Sequence, residues 1–215
     1  MNIKKLCEDA HKNAVEKGFY DCPECGGQIR YRPWGDDYPE IECKACEGTG
    51  IDPNRNIGEL LALICSELYE ALMAHRCRKF ANIETSNSLE ATEVDIDWIR
   101  CFERFIKDTF EDEIADVFIR LFDLCGYLNI ELEILNISGY IKEHKNVGSR
   151  IYRISHELPI IEIGQTAKSN MIYKLCYFYS AMIEFCQDQN IDIEKHIALK
   201  MTYNKTRPYK HNKEY

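Results

Sequence analysis

Glu67 and Glu70, in the stretch LICSELYEAL (63–72), stand three residues apart, and Glu113 and Asp116, in FEDEIADVFIRLFDL (110–124), repeat the spacing. At about 100° per residue, both stretches read as amphipathic helices. Ile57, Leu61, Ile64, Leu68 and His75 centre one apolar stripe, with Glu67 at its border and Glu70 one step further out. Phe110, Ile114, Val117, Leu121 and Leu124 centre the other, flanked by Glu113, Asp116, Arg120 and Asp123. Each helix thus offers two acids one turn apart at the edge of its core-facing side. A lone E-x-x-E on a surface helix is ordinary solvated decoration, but two matched pairs are harder to dismiss. If packing gathers the four acids, each pair about 6 Å apart repels by roughly 3 kcal/mol at an effective dielectric of ~20. Six such pairs exceed ~10 kcal/mol, as much as the whole stability of a domain, so a cation must sit among them. Carboxylate oxygens with no histidine select a hard ion, Mg²⁺ or Mn²⁺, which keeps waters and prefers phosphate as its other ligand.

The final stretch, DIEKHIALKMTYNKTRPYKHNKEY, holds the complement. Lys200, Asn204 and Arg207 recur at i, i+4 and i+7 and face one way before Pro208 stops the helix. One reading is a solvated basic tail. Beside an acidic metal site, the same donors suit the outer oxygens of a polyphosphate, arginine by a bidentate fork and lysine as a point charge. Other catalytic signatures are missing: there is no P-loop, G-x-S-x-G or H-E-x-x-H. A di-iron bundle needs E-x-x-H on two helices, and only Glu8 to His11 has that spacing.

A second constellation lies in DCPECGGQIRYRPWGDDYPEIECKACEGTG (21–50). Cys22 and Cys25 form one C-x-x-C, Cys43 and Cys46 another, with 17 residues between them. Two such knuckles suit tetrahedral thiolate coordination of one Zn²⁺, and four sulfurs fill its shell, making it structural rather than catalytic. Glycines after both pairs let the backbone turn under the sulfurs. Two disulfides are the alternative, disfavoured where no secretion signal is read. The other seven of the eleven cysteines, Cys7, Cys65, Cys77, Cys101, Cys125, Cys176 and Cys186, are spaced through helical patterns as small reduced core residues.

These residues need elements to position them. A helix is expected up to about Gly18, then over 57–76, 96–107, 110–128, 149–158, 168–188 and 191–206, with strands only in the cysteine module. Residues 86–95 and the region 139–148 read as loops. CGYLNIELE (125–133) is echoed by CQDQNIDIE (186–194), a faint internal repeat. With 215 residues and 45% hydrophobic, the chain can bury one core beside a small satellite module. A net charge of -9 disfavours nucleic acid and anionic membranes as partners. No signal-peptide core or membrane-spanning run is read, so a cytoplasmic location is expected.

HKNAVEKGFYD (11–21), NIGELLALICSELYEALMAHR (56–76), DTFEDEIADVFIRLFDLCGYLNI (108–130) and IDIEKHIALKMTYNKTRPYKH (191–211), about a third of the chain, resemble in order the segments of MazG-like nucleotide pyrophosphohydrolases, of the all-α NTP pyrophosphatase superfamily. The resemblance implies an all-α fold, a MazG-like bundle built from 1–20, 51–136 and 191–215. The zinc-knuckle module at 21–50 and additional helices at 137–190 would be insertions. It also implies a homodimer or homotetramer that cleaves a nucleoside triphosphate between the α- and β-phosphates, leaving a nucleoside monophosphate and pyrophosphate. Carried over by position, Glu67, Glu70, Glu113 and Asp116 are the Mg²⁺ ligands, and Lys200, Tyr203, Asn204 and Arg207 the phosphate or sugar contacts. One carboxylate, Glu67 or Glu70, would activate the attacking water. The chain departs from the family in its long gap between acidic pairs and in both insertions, which bears on base recognition. Trp34, Tyr38 and Trp98 are candidates for stacking on a base, core packing being the alternative. A catalytically silent relative, with the zinc module serving as a protein-interaction surface, is the competing reading.

Overall fold

In six helices the residue just before the first turn caps it with its own side chain. In the computed structural model, which describes residues 1–32, 39–83, 89, 94–137, 139, 143–159 and 168–212, Asn2, Asn56, Asp95, Thr109, Asn146 and Asp192 each accept a hydrogen bond from the backbone N–H three residues on. Each such cap stabilises by about 1 kcal/mol. They start α1 (Ile3–Glu16), α2 (Ile57–Arg76), α3 (Ile96–Phe105), α4 (Phe110–Leu128), α5 (Val147–Ser155) and α7 (Ile193–Thr206); α6 spans Lys168–Asp188. The chain is therefore mostly helical. Its described strands are β1 (Arg30–Tyr31) and β2 (Ile41–Glu42), an antiparallel pair inside the cysteine module. The expected bounds of α2, α4 and α6 match those observed. The third helix stops earlier and the fifth is displaced towards the N-terminus. Much of the loop expected at 86–95, with Trp34 and Tyr38, lies outside the described residues.

α4 is the axis of the molecule, packed by α1, α2 and α7, while α5 covers α2 and contacts α6. Its residues Ile114, Val117, Phe118, Leu121 and Phe122 are completely buried against Ile64, Leu68 and Ala71 of α2. Phe178, Tyr179, Met182 and Phe185 of α6 enter the same continuous core, with Tyr179 edge-on to Phe118. The segment 137–190 thus supplies core as well as surface. A smaller cluster joins α3 to α7: Trp98 stacks on Phe102 at 5.5 Å and Phe102 on Tyr203 at 4.4 Å between ring centres. Trp98 is 2% exposed there, so it is a packing residue.

The internal echo has a local cause. Asn129 and Asn190 both take left-handed backbone (φ 51° and 55°), and the next N–H of each, Ile130 and Ile191, returns to the carbonyl of Cys125 or Cys186 at 2.9 Å. The two segments share one helix-stop geometry. Among the seven scattered cysteines, Cys7, Cys125, Cys176 and Cys186 are buried, while Cys65 and Cys101 are partly so. Cys77 departs from expectation: it sits exposed at the end of α2, where the helical stripe no longer faces the core.

Candidate metal centres and the acidic cavity

Because Glu67 lies on the side of α2 that meets α4, helix packing carries it to the acids of α4. Ligand oxygens of Glu67, Glu113 and Asp116 all lie within 4.8 Å of one another. Glu70, a step further round α2, stays exposed; it lines the same cavity and accepts a hydrogen bond from Ser66 Oγ at 2.9 Å. Three of the four expected acids are therefore gathered, and the fourth stands at the rim. The cavity holds about 290 Å³ and is also lined by Lys200, Tyr203, Asn204 and Arg207.

The protein supplies part of the expected cation itself. Lys200 Nζ, almost fully buried, sits 2.7 Å from both Asp112 Oδ2 and Asp116 Oδ2, and Arg120 Nε donates to Glu67 Oε1 at 3.2 Å. Lys200 is thus engaged inside the acidic cluster, whereas α7's spacing suggested a lysine reaching outward to phosphate. Tyr203 OH donates to Glu103 at 2.9 Å, Asn204 is buried, and half-buried Arg207 lies beside the Tyr203 ring. Lys200 and Arg120 offset two of the charges that Glu67, Asp112, Glu113 and Asp116 carry when all are ionised, and either bound protons or one divalent ion would offset the other two. The strain is visible in the acids. Burial first and Asp116 second push Glu67 up to about 7 and Glu113 to about 8. Burial raises Asp112 to about 6 against the pull of Lys200. Burial opposes the charge on Lys200, but Asp116 and Asp112 outweigh it and lift the ammonium well above the usual lysine range. Oxygen donors in this number suit Mg²⁺ or Mn²⁺.

Spacing places Arg120 on the flank of α4 without a function and does not single out Asp112. Asp112 precedes Asp116 by one helical turn, a spacing that places both on one side of α4, and Arg120 continues that row. Asn13 of α1, Phe19 and His211 also line the cavity; they come from remote parts of the chain and carry no local signal. Further along α4, Asp123 accepts from Tyr20 OH and contacts His11 Nδ1, both at 2.9 Å.

The cysteine module builds a second centre. Its four Sγ atoms lie within 4.8 Å of one another, with Cys22–Cys43 at 3.9 Å and Cys25–Cys46 at 3.8 Å. Four bonds of about 2.3 Å to a tetrahedral zinc set sulfur edges near 3.8 Å. Gly26 N–H returns to Cys22 O at 2.8 Å and Gly48 N–H to Cys43 O at 2.9 Å, each glycine at positive φ. Gly50 N–H points at Cys46 Sγ from 3.2 Å. Burial would raise that thiol, but the N–H and the neighbouring thiols lower it to about 7. The buried set is fitted to a thiophilic ion.

Set against family models, curated proteins and solved structures, the chain has no significant match.

Proposed function

We propose that the chain is a Mg²⁺-dependent nucleoside triphosphate pyrophosphohydrolase with a MazG-like bundle and a structural zinc ion. The observation that carries this reading is the meeting of Glu67, Glu113 and Asp116, from two helices, within 4.8 Å in a cavity that α7 lines with Lys200, Asn204 and Arg207. Glu67, Glu70, Glu113 and Asp116 would hold Mg²⁺. The ion supplies neutralisation of the triphosphate and polarisation of its α-phosphorus. Among the acids, Glu70 is the better base: Glu67 is committed to Arg120, whereas Glu70 is exposed at the cavity rim. Glu70 takes a proton from water, the water oxygen bonds to the α-phosphorus, and the bond to the β-phosphate oxygen breaks in line. Pyrophosphate leaves and a nucleoside monophosphate remains. Arg207 and Asn204 orient the β- and γ-phosphates, and Lys200, 2.7 Å from Asp116 Oδ2, holds that carboxylate in place.

A catalytically silent relative is the second reading, and one observation favours it: Lys200 and Arg120 already pair with two of the proposed ligands. Incubation of the purified protein with each common ribo- and deoxynucleoside triphosphate and Mg²⁺, with detection of pyrophosphate and monophosphate, separates the two. The pyrophosphohydrolase turns over at least one nucleotide, and Glu67→Gln lowers that rate by ~10³-fold or more while the melting temperature holds or rises. No turnover across the panel leaves the silent reading, and an active but strongly destabilised Glu67→Gln protein refutes the site.

A further inference from the structure

The polypeptide between α1 and the first cysteine, residues 17–21, grips the end of α7. Lys17 Nζ donates to the carbonyls of Lys205 and Arg207 at 2.8 and 2.5 Å, and Lys210 N–H donates to Lys17 O at 2.7 Å. Tyr209 OH donates to the Asp21 carboxylate. The Tyr209 ring lies so close over Gly18 that a Cβ there would fall 2.0 Å from it. His211 meets Phe19 edge-on at 5.1 Å. α7 needs such a hold, because Pro208 ends its hydrogen bonding just as the chain delivers Arg207 and His211 to the cavity.

The gripping segment is itself anchored on the cysteine module. Asp21 pairs with Ile51 in an antiparallel bridge, Cys22 N–H donates to Gly50 O and Asp52 N–H to Tyr20 O, both at 2.8 Å. Gly50 also points its N–H at Cys46 Sγ. The four-sulfur centre therefore closes the base of the loop from which Asp21 projects, and Asp21 holds Tyr209.

We propose that the cysteine module is an abutment for the C-terminal tail, with Lys17, Asp21 and Tyr209 as positioning residues that fix Arg207 at the mouth of the acidic cavity. The role given to Arg207 rests on the reading above; the mechanical link from the sulfurs to the tail does not. The ion held by the four cysteines would then govern the cavity at a distance, without touching substrate.

Amide hydrogen exchange followed by mass spectrometry tests the link. Peptides covering 205–211 should exchange roughly tenfold faster or more in protein stripped of its thiolate-bound metal, and in metal-loaded Lys17→Met/Tyr209→Phe protein, while peptides within α2 and α4 keep their protection. Lys17→Arg, which retains the donors, should restore the slow exchange. Calorimetry with inorganic tripolyphosphate and Mg²⁺ should show affinity about tenfold weaker in the double variant, with Mn²⁺ binding in the absence of tripolyphosphate unchanged. For any nucleotide turned over, KM should rise with kcat nearly constant. Unchanged exchange at 205–211, or equal loss of protection in the tail, α2 and α4, would overturn the proposal. A tail that loosens in a protein inactive on every nucleotide supports the abutment and sinks the pyrophosphohydrolase.

Discussion

Lys200 best shows how one side chain can be read correctly for charge and differently for place. Its spacing with Asn204 and Arg207 puts it on the cavity side of α7, and it does line the cavity. What spacing does not reveal is that Asp112, 1% exposed, would be a buried anion without it. Removing one member of a buried ion pair costs about 3–5 kcal/mol because the other charge is left uncompensated. Lys200→Met should therefore lower stability by ~3–5 kcal/mol in denaturant unfolding near neutral pH, and adding Asp112→Asn should recover much of the loss. A Lys200→Met protein as stable as the parent would show that the ion pairs carry little. The acids of α2 and α4 were legible because both their residue type and their helical phase are local properties. Asn13 and His211 were not: both lie in stretches that carry the family resemblance, but neither their type nor their spacing marks them for the cavity.

At the scale of elements, the helices follow from apolar periodicity, with Asn56 and Thr109 capping α2 and α4, which is why α2, α4 and α6 fall where the pattern puts them. The ends of α3 and α5 are set instead by packing and loop geometry. The cysteine module is the opposite kind of element: its described residues form two-residue strands and an apolar cluster of the four cysteines with Tyr31, a set whose cohesion a bound ion would supply. We expect ~1 equivalent of zinc per chain by elemental analysis, retained when Mg²⁺ is removed. Cys43→Ser should lose that metal and expose the 21–51 region to proteolysis, while helical circular dichroism falls only slightly. Protein that is metal-free as purified, or whose module resists protease after the substitution, would contradict this.

For the molecule as a whole, α4 is packed by α1, α2 and α7, and none of the described helices is long and apolar enough to cross a membrane. The buried acids make its stability depend on pH. Glu67 and Glu113 have folded-state values near 7 and 8, above the ordinary 4.5. The metal-free fold thus binds more protons than the unfolded chain across that interval. Their contribution is fully present below about pH 4.5 and is lost as pH rises through about 7 to 8. The loss amounts to ~3 kcal/mol, or roughly 5–10 °C in Tm, after allowance for coupling between the neighbouring acids. A divalent ion neutralises the same charges, so the gain in Tm on adding Mg²⁺ should grow between pH 5 and pH 8. A gain independent of pH in differential scanning calorimetry would place Mg²⁺ elsewhere. Glu113→Gln should flatten the dependence.

The amino-acid sequence by itself determined the helical class, the bounds of the strongest helices, the pairing of C-x-x-C knuckles and the phase of the acids, because periodicity, capping and close spacing act within a few residues. Tertiary structure decided which acids meet, that Lys200 and Arg120 counter part of their charge, that Glu70 stays at the rim, and that residues 17–21 hold the end of α7. Those outcomes join residues as distant as Lys17 and Lys210 or Glu67 and Arg120. Only the packing of α1, α2 and α7 around α4 brings such groups within reach, and burial then determines what each charge costs.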